Sequence, residues 1–326
     1  MALTLDDLFR TPDHYLHSFD GDDAVFVPMD SAAYERSIFL DGRISPAGDG
    51  SMRLPLVALA GVRARCLRTV WIMHVAHCGS TLLARALDAV SDSLVLREPQ
   101  ALRQIAVQGW SDRLPNTAAL LSKRYREDAP TLIKGNVPIN FLLPQIAALD
   151  RGAAMVFLYL PLRDYLLAIL RDEDHRAWLR RVTESLGTHL GPLANASDAQ
   201  RAAALWLAQI EIYASAGRDL SAARSLDAEL FFADPAAVLA AVATHLGIKV
   251  DEGAVRDVVA GPLFSTYSKN PNVAFDNSAR VTRKHETDRR LTDDLAVAEN
   301  WLRAHEARAE AALEALDSMR LELPTA

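Results

Sequence analysis

The stretch of residues 69–83 reads TVWIMHVAHCGSTLL, and it decides the fold. Residues 69–75 form a short apolar run, which is typical of a buried strand. Residues 81–90 follow with their leucines, alanines and valine on one helical face. A turn between a strand and a helix exposes backbone N–H groups at the positive end of the helix dipole. The sequence therefore predicts a cradle for phosphate or sulfate at residues 76–81.

The turn differs from the standard NTPase loop GxxxxGK[ST]. Ser80 stands where that loop has its lysine, and His74 stands where it has its first glycine. The missing lysine argues against an ATPase or a kinase. An ordinary capped helix start explains the hexapeptide equally well on its own, because serine and threonine are common there.

Further short apolar runs predict strands at residues 94–96, 131–133 and 155–160, with helical patterns between them. Strands that alternate with helices indicate a parallel sheet covered by helices on both faces. The predicted fold is thus α/β, with a parallel sheet like that of P-loop NTPases. Ligands of such sheets bind at the carboxyl ends of the strands, so the residues that follow each strand deserve inspection.

The C-terminal half is predicted to be largely helical, with helices at residues 174–186, 198–216, 235–246 and 290–316. The last of these carries leucines at helical spacings. Its apolar face would pack either on its own domain or on a second copy of the chain, so a homo-oligomer is one expectation.

Residues 1–65 are predicted to form an N-terminal extension that packs on a main domain of residues 66–326. Within the extension, residues 24–27 and 37–40 are predicted strands. Residues 45–51 contain two glycines and a proline and are predicted to form a loop.

Composition limits the classes of partner. The chain has 326 residues, 50% of them hydrophobic, and a formal net charge of -7. The absence of a general basic surface argues against nucleic acid as the main partner, whereas a small anionic ligand needs only a few local donors. The 2 cysteines cannot form a disulfide framework or a zinc site. No signal-peptide pattern and no membrane-length apolar run are evident, so we expect a cytoplasmic protein without a membrane partner.

The turn and its helix resemble the sulfotransferase superfamily, whose phosphosulfate loop commonly reads [KR]-S-G-[ST]-T before an apolar helix. The matching residues here are His77, Cys78, Gly79, Ser80, Thr81, Leu82 and Leu83. Their Gly-Ser-Thr-Leu-Leu part is similar to bacterial sulfotransferases that act on carbohydrates. The resemblance implies that His77, Cys78, Gly79, Ser80 and Thr81 bind the donor, 3′-phosphoadenosine 5′-phosphosulfate. His77 replaces the family's basic residue, either as a protonated donor to the anion or as a neutral capping residue.

A second match follows the predicted strand at residues 131–133. Cytosolic sulfotransferases have Lys-Thr-His-Leu-Pro here, and this chain has Lys-Gly-Asn-Val-Pro at residues 134–138. The resemblance implies that Lys134 contacts the transferring sulfuryl group. Asn136 replaces the histidine that removes the acceptor proton, and an amide cannot act as a general base.

The base must then come from another residue. Glu98 follows the neighbouring predicted strand, and some bacterial and tyrosyl-protein sulfotransferases use a glutamate in this region. Glu98 is therefore the predicted general base. The alternative is a structural ion pair between Glu98 and Arg97 or another arginine.

The family's site for the donor 3′-phosphate, Arg-x-x-x-Asp-x-x-x-Ser, is matched poorly. Anchoring the pattern on Asp164 places Leu160 at the arginine and Ala168 at the serine. A shifted register instead selects Arg163 and Arg171 as phosphate ligands.

Two downstream segments complete the resemblance. Residues 230–235 and 245–248 are similar to a family segment that forms a strand, a turn and a helix. Residues 278–290 hold a basic cluster that includes Arg280 and Arg283, which the resemblance places over the nucleotide. A solvated basic helix start, with Glu286 and Asp288 as neighbours, is the alternative.

The sequence thus favours an enzyme that transfers a sulfuryl group to a hydroxyl or an amine and requires no metal. Two other classes stay open. One is a phosphotransferase that uses the same cradle, and the other is a catalytically degenerate nucleotide-binding protein.

Overall fold

The computed structural model describes residues 4–60, 66–275 and 277–323. The strands are β1 (His14–Asp20), β2 (Asp23–Pro28), β3 (Met52–Pro55), β4 (Thr69–His74), β5 (Val95–Arg97), β6 (Thr131–Lys134), β7 (Met155–Tyr159), β8 (Ala223–Asp227), β9 (Thr266–Tyr267) and β10 (Asn270–Ala274).

The α-helices are α1 (Leu5–Arg10), α2 (Ser31–Arg36), α3 (Leu56–Ala60), α4 (Ser80–Val90), α5 (Gln100–Gln108), α6 (Leu114–Leu121), α7 (Leu143–Leu149), α8 (Leu162–Ile169), α9 (Glu173–Ser185), α10 (Gly187–Leu190), α11 (Asp198–Asp219), α12 (Ala228–Ala233), α13 (Pro235–Leu246), α14 (Glu252–Ala260), α15 (Pro262–Ser265), α16 (Asn277–Arg290), α17 (Thr292–Arg303) and α18 (Glu306–Ser318). Short 3₁₀ segments lie at Ser111–Arg113 and Val137–Leu142. Within the described residues, no helix has both the length and the apolar character needed to cross a membrane.

The core of the protein is a five-stranded parallel sheet with the order β5-β6-β4-β7-β8. Every residue of β4, the central strand, is buried. An apolar strand covered on both faces is what a parallel sheet flanked by helices requires. The predicted α/β fold is therefore confirmed, and the carboxyl ends of β5, β6, β4 and β7 meet at one edge of the sheet.

Most predicted elements of the main domain are present. The predicted strands at residues 69–75, 94–96, 131–133 and 155–160 correspond to β4 to β7, each within one residue at either end. The predicted helix at residues 235–246 is α13, which ends at Gly247 in the left-handed conformation with φ +62°.

The strand predicted around residues 230–232 is wrong, because this segment lies in α12. The sheet strand comes earlier, as β8. Strand β8 ends at Asp227, because the Asp227 side chain accepts a hydrogen bond from the Glu229 backbone N–H and caps the N-terminus of α12. In the helix, Phe231 is fully buried and the ring of Phe232 packs against Gly79.

The single long helix predicted at residues 290–316 is also wrong. The chain forms α17 and α18 instead, and α16 ends at Arg290. Both helices pack against α11, which buries Leu295, Ala298 and Leu316. Two short helices can follow the surface of the domain more closely than one straight helix.

The extension contains an antiparallel sheet, β1-β2-β3, and β1 packs on α5 and α6. The predicted strand at residues 24–27 lies within β2, whereas the one at residues 37–40 is irregular chain. The predicted boundary at residue 65 lies outside the described residues, and the division into extension and main domain stays a prediction.

Arg97 explains why residues 37–40 do not form a strand. Its side chain is only 1% exposed, and its guanidinium donates to the backbone carbonyl oxygens of Tyr34, Ser37 and Ile38 and to Asp88. Carbonyl oxygens that accept from a guanidinium are not available to a neighbouring strand. Arg97 thereby fixes the extension to the carboxyl end of β5.

Replacing Arg97 with methionine should lower the free energy of unfolding by about 3 kcal/mol, because it leaves several buried carbonyl oxygens and the partly buried Asp88 carboxylate without their partner. Urea denaturation measures this loss. Arg53→Met is the control, since the exposed Arg53–Asp20 ion pair should contribute less than about 1 kcal/mol. Equal losses in the two variants would contradict this role of Arg97.

Candidate functional site

The turn between β4 and α4 presents the start of a helix to a pocket. Gly79 adopts a left-handed conformation with φ +82°, and α4 begins directly after it. A Cβ atom at this position would lie 2.7 Å from Cζ of Phe232, so both the conformation and the space require glycine. His77 is also left-handed, with φ +61°, which is uncommon for a side-chain-bearing residue.

The pocket in front of this turn, here the cradle pocket, is rich in positive charge. Residues of β9, α4, α8, α12 and α16 and of the turns beside them line it. Its 5 basic lining residues are Arg171, Lys269, Arg280, Arg283 and Lys284, and its 2 acidic ones are Asp164 and Glu229. In a chain with a net charge of -7, this arrangement concentrates positive charge at the N-terminus of α4.

Most residues predicted to bind a donor line this pocket. They are His77, Gly79, Ser80, Thr81, Arg171, Arg280 and Arg283. Cys78 is buried beneath the turn, where its thiol donates to the carbonyl oxygen of Val75 at 2.9 Å.

Arg163, by contrast, lies outside the pocket lining. Its guanidinium forms ion pairs with Asp288 at 2.8 Å and with Glu299 at 2.9 Å. The structure thus brings Arg171, but not Arg163, to the turn that carries Ser80 and Thr81.

Lys134 and Glu98 lie behind the cradle pocket. The Lys134 side chain is 1% exposed, and its ammonium is 3.4 Å from the hydroxyl oxygen of Thr81. The same ammonium forms an ion pair with Glu98. The two residues predicted to be catalytic are therefore in direct contact with each other, and Lys134 contacts the cradle.

The charge state of Glu98 follows from this contact. Burial acts to raise the pKa of the Glu98 carboxyl, but Lys134 and His74 hold it below its ordinary value. The carboxylate is thus ionised at neutral pH. Glu98 itself adopts φ +59°, and its backbone N–H donates to the carbonyl oxygen of Lys134 at 2.8 Å.

Arg171 is held in a fixed orientation at the pocket wall. Its guanidinium contacts the carboxylate of Asp172 at 3.3 Å, the hydroxyl of Tyr267 at 3.4 Å and Nε2 of His175 at 2.5 Å. A guanidinium only donates, so Nε2 of His175 accepts and the ring is neutral. Burial favours the same neutral state, because it lowers the pKa of His175.

His77 is also neutral, and its ring lies beside that of His175, with 4.4 Å between the ring centroids and an angle of 46° between the ring planes. Desolvation lowers the pKa of His77 well below its ordinary value, and the nearby Lys269 acts in the same direction. His77 is therefore neutral at pH 7 before an anion enters the pocket.

Helix α16 covers one side of the cradle pocket and forms ion pairs with α12 and α8. Arg280 contacts Glu229 through two hydrogen bonds of 2.8 and 2.9 Å and lies 4.1 Å above the ring of Phe232. Lys284 pairs with Asp164 at 2.7 Å. These carboxylates hold the basic side chains at the pocket wall.

Sequence reasoning missed Lys269 and the aromatic residues beside it. Lys269 lies in the turn between β9 and β10, and Tyr267, Phe232 and Phe275 line the same pocket. Lys269 is part of no motif, and only the folding of this hairpin over the cradle brings it to the site. The aromatic rings give the pocket flat apolar walls beside its cations.

Desolvation by the pocket walls lowers the pKa of Lys269 to about 8, and the positive charge of Lys134 acts in the same direction. Lys269 is nevertheless an exposed residue, so solvent reduces this shift and its pKa lies between about 8 and its ordinary value of 10.5. Burial also raises the pKa of the Cys78 thiol to about 11, so this thiol stays protonated near neutral pH. In the part of the chain that the structure describes, no group of three or more His, Cys, Asp or Glu side chains is placed to hold a metal ion.

Known proteins resemble this chain in structure but not detectably in sequence. No protein-family model matches the sequence, and a sequence search of curated proteins finds no match. Among solved structures, the chain is similar to the sulfotransferase domain from the curacin biosynthetic pathway, with 11% identity, 70% of this chain and 99% of that chain covered, and a TM-score of 0.44. It is also similar to a sulfotransferase from Alicyclobacillus acidocaldarius, with 14% identity, coverage of 73% and 97%, and a TM-score of 0.36. Both of these structures are described as sulfotransferases.

Binding of an anion should depend on pH through Lys269. An anion favours the charged ammonium, so it raises the pKa of Lys269 above its value in the empty pocket. Affinity should therefore be constant from pH 7 to about 8 and fall as the pH rises further, with uptake of a proton on binding.

Calorimetry with sulfate, which keeps its charge across this range, measures the effect at constant ionic strength. Lys269→Met should weaken binding below pH 8 and abolish the decline above it. Lys249→Met is the control, because Lys249 is 82% exposed and pairs with Asp128 away from the pocket. A decline that persists in Lys269→Met would contradict this account.

Proposed function

We propose that this protein transfers a sulfuryl group from 3′-phosphoadenosine 5′-phosphosulfate to a hydroxyl or amine acceptor. One observation carries the proposal. The buried ammonium of Lys134 lies 3.4 Å from the hydroxyl of Thr81, directly behind the helix start. A sulfate-like group seated on the amides of Gly79, Ser80 and Thr81 would have this ammonium within reach of its oxygens.

The reaction develops negative charge on the oxygen that leaves with the nucleotide and on the peripheral sulfuryl oxygens. Fixed donors that surround this charge stabilise the transition state without having to reorganise. The backbone N–H groups at the start of α4 and the Lys134 ammonium are such donors. Glu98 forms an ion pair with the buried Lys134 ammonium and thereby holds this side chain beside Thr81.

In the proposed step, the acceptor oxygen or nitrogen forms a bond to sulfur while the bond from sulfur to the bridging oxygen breaks. The electron pair of that bond stays on the nucleotide phosphate, and the acceptor proton passes to Glu98. Glu98 is a weak base as long as Lys134 pairs with it. When the ammonium shifts toward the leaving oxygen, its hold on the carboxylate weakens, so Glu98 becomes a stronger base during the transfer.

The second phosphate of the donor would bind Arg171. Leu160 and Ala168 line the pocket and stand at the sequence positions where sulfotransferases have an arginine and a serine. Neither of these apolar side chains can bind a phosphate. Arg171 lines the same wall and is already fixed by Asp172, His175 and Tyr267. A planar guanidinium held in this way is suited to bidentate phosphate contacts.

The adenine ring would lie against the aromatic part of the wall. Phe232 and Phe275 line the pocket with their ring centroids 6.4 Å apart. Arg280 lies over Phe232 and, with Arg283, adds charge above the bound nucleotide. A flat apolar surface beside cations suits a nucleotide, whose base stacks while its phosphates pair.

Calorimetry tests this function by comparing adenosine 3′,5′-bisphosphate, AMP and the ATP–Mg²⁺ complex. We expect the bisphosphate to bind about tenfold or more tightly than AMP, since a hydrogen bond to a charged group contributes about 1.5–3 kcal/mol. Arg171→Met should remove most of this preference. Arg256→Met is the control, because Arg256 is 70% exposed and lies outside the pocket lining.

Tighter binding of ATP–Mg²⁺ than of the bisphosphate would instead favour a phosphotransferase. Equal affinity for AMP and the bisphosphate would contradict the assignment of the donor.

A further inference from the structure

The carboxylate of Glu98 has one oxygen in an ion pair and one oxygen open to a ligand. Oε1 contacts the Lys134 ammonium, whereas Oε2 accepts no hydrogen bond from the residues that the structure describes. The Glu98 side chain is 15% exposed, and Glu98 is not part of the cradle pocket lining. Its exposed surface therefore faces a side other than the cradle pocket, and Oε2 is the oxygen that can receive a proton there.

The N-terminal extension places an arginine beside this oxygen. Nη2 of Arg43 lies 3.9 Å from Oε2 of Glu98, which is near enough for the charges to interact but too far for a hydrogen bond. The Arg43 side chain is 58% exposed, so a ligand can reach it from solvent. Glu98 and Arg43 thus share one exposed surface, on which a carboxylate oxygen and a guanidinium lie side by side.

Contacts within the extension hold the Arg43 guanidinium in place. Nε and Nη2 donate to the two carboxylate oxygens of Asp41 at 2.8 and 2.6 Å, and the guanidinium carbon lies 3.7 Å from the centre of the Phe39 ring. The loop itself is fixed to β5, because the Leu40 backbone N–H donates to the carbonyl oxygen of Arg97 at 2.8 Å. A guanidinium fixed in this way binds a ligand with little further loss of side-chain freedom.

This guanidinium keeps an open edge. Asp41 takes one N–H group on Nε and one on Nη2. The second N–H of Nη2 and both N–H groups of Nη1 have no hydrogen-bond partner in the described part of the chain. A carboxylate matches the edge between Nη1 and Nη2 with two parallel hydrogen bonds.

The charges on this side of Glu98 also favour an anionic ligand. Burial acts to raise the pKa of the Asp41 carboxyl, but Arg43 and Arg103 hold it below its ordinary value. Asp41 thus balances one of two arginines, while Glu98 balances Lys134. A neutral acceptor leaves one of these positive charges unpaired, whereas an acceptor with a carboxylate pairs it.

We propose that the acceptor is a hydroxy acid, whose carboxylate binds Arg43 while its hydroxyl donates a hydrogen bond to Oε2 of Glu98. This inference rests on the proposed function. The 3.9 Å between Nη2 and Oε2 requires the carboxylate and the hydroxyl of the acceptor to be only a few bonds apart. An amino acid is less suited, because its ammonium would lie among the positive charges of Arg43 and Lys134.

The bound carboxylate would also assist the reaction. It brings negative charge close to Glu98 and takes up part of the positive charge of Arg43. Both effects raise the pKa of the Glu98 carboxyl, so the acceptor strengthens the base that removes its proton.

Paired acceptors test the charge requirement by transfer from ³⁵S-labelled donor. 3-Hydroxybutanoate and 4-hydroxyphenylacetate carry the carboxylate, and the corresponding amides keep the same hydroxyl without the charge. We expect at least one acid to have a kcat/KM about tenfold or more above that of its amide, because hydrogen bonds to charged groups are the stronger ones. Added salt should reduce this preference, since Arg43 is exposed.

Arg43→Met should raise the KM for the acid about tenfold, and it should leave the KM for the amide and the affinity for adenosine 3′,5′-bisphosphate unchanged. Arg53→Met is the matched control, because Arg53 is 56% exposed in the same extension and pairs with Asp20 at 2.6 Å. It should change neither KM. Arg43→Gln gives the same test if the methionine variant does not fold.

Equal kcat/KM for each acid and its amide would overturn the inference, and so would an acid preference that persists without the Arg43 guanidinium. A lack of transfer to either acid by a protein that binds the bisphosphate would overturn it as well. Failure to bind the bisphosphate would instead reject the proposed function.

Discussion

The left-handed turn at Gly79 is the constraint on which the rest of the site depends. It takes the chain from the central strand into α4 with a positive φ at Gly79, and the ring of Phe232 lies 2.7 Å from where a Cβ atom would stand. The turn sets the position of the helix start, and the helix start sets the position of Thr81. Because Thr81 contacts Lys134, the geometry of one glycine fixes the distance between the cradle and the buried cation of the neighbouring strand.

Two buried basic side chains, Lys134 and Arg97, have different structural roles at the carboxyl ends of the strands. Lys134 connects the cradle to Glu98, because its ammonium contacts the hydroxyl of Thr81 and forms an ion pair with the Glu98 carboxylate. Arg97 has a structural role, since it binds the extension to the carboxyl end of β5. In both cases, hydrogen-bond partners surround the buried side chain and offset the free-energy cost of removing its charge from water.

The strands of the parallel sheet could be predicted from the sequence, because buried parallel strands are continuous apolar runs. The residues at their carboxyl ends could be predicted as well, because polar residues directly follow these runs. Elements governed by tertiary contacts were not predictable. Residues 37–40 have a strand-like composition, but Arg97 takes their carbonyl oxygens. Lys269 reaches the site through the packing of a hairpin, which no sequence pattern encodes.

A crystal structure with adenosine 3′,5′-bisphosphate tests the central claim most directly, because it shows where the two phosphates bind. The account predicts the 5′-phosphate within hydrogen-bond distance of the backbone N–H groups of Gly79, Ser80 and Thr81. It also predicts the 3′-phosphate on Arg171 and the Lys134 ammonium facing the first phosphate from behind Thr81. A nucleotide bound away from this helix start, or a phosphate that leaves the cradle empty, would contradict it.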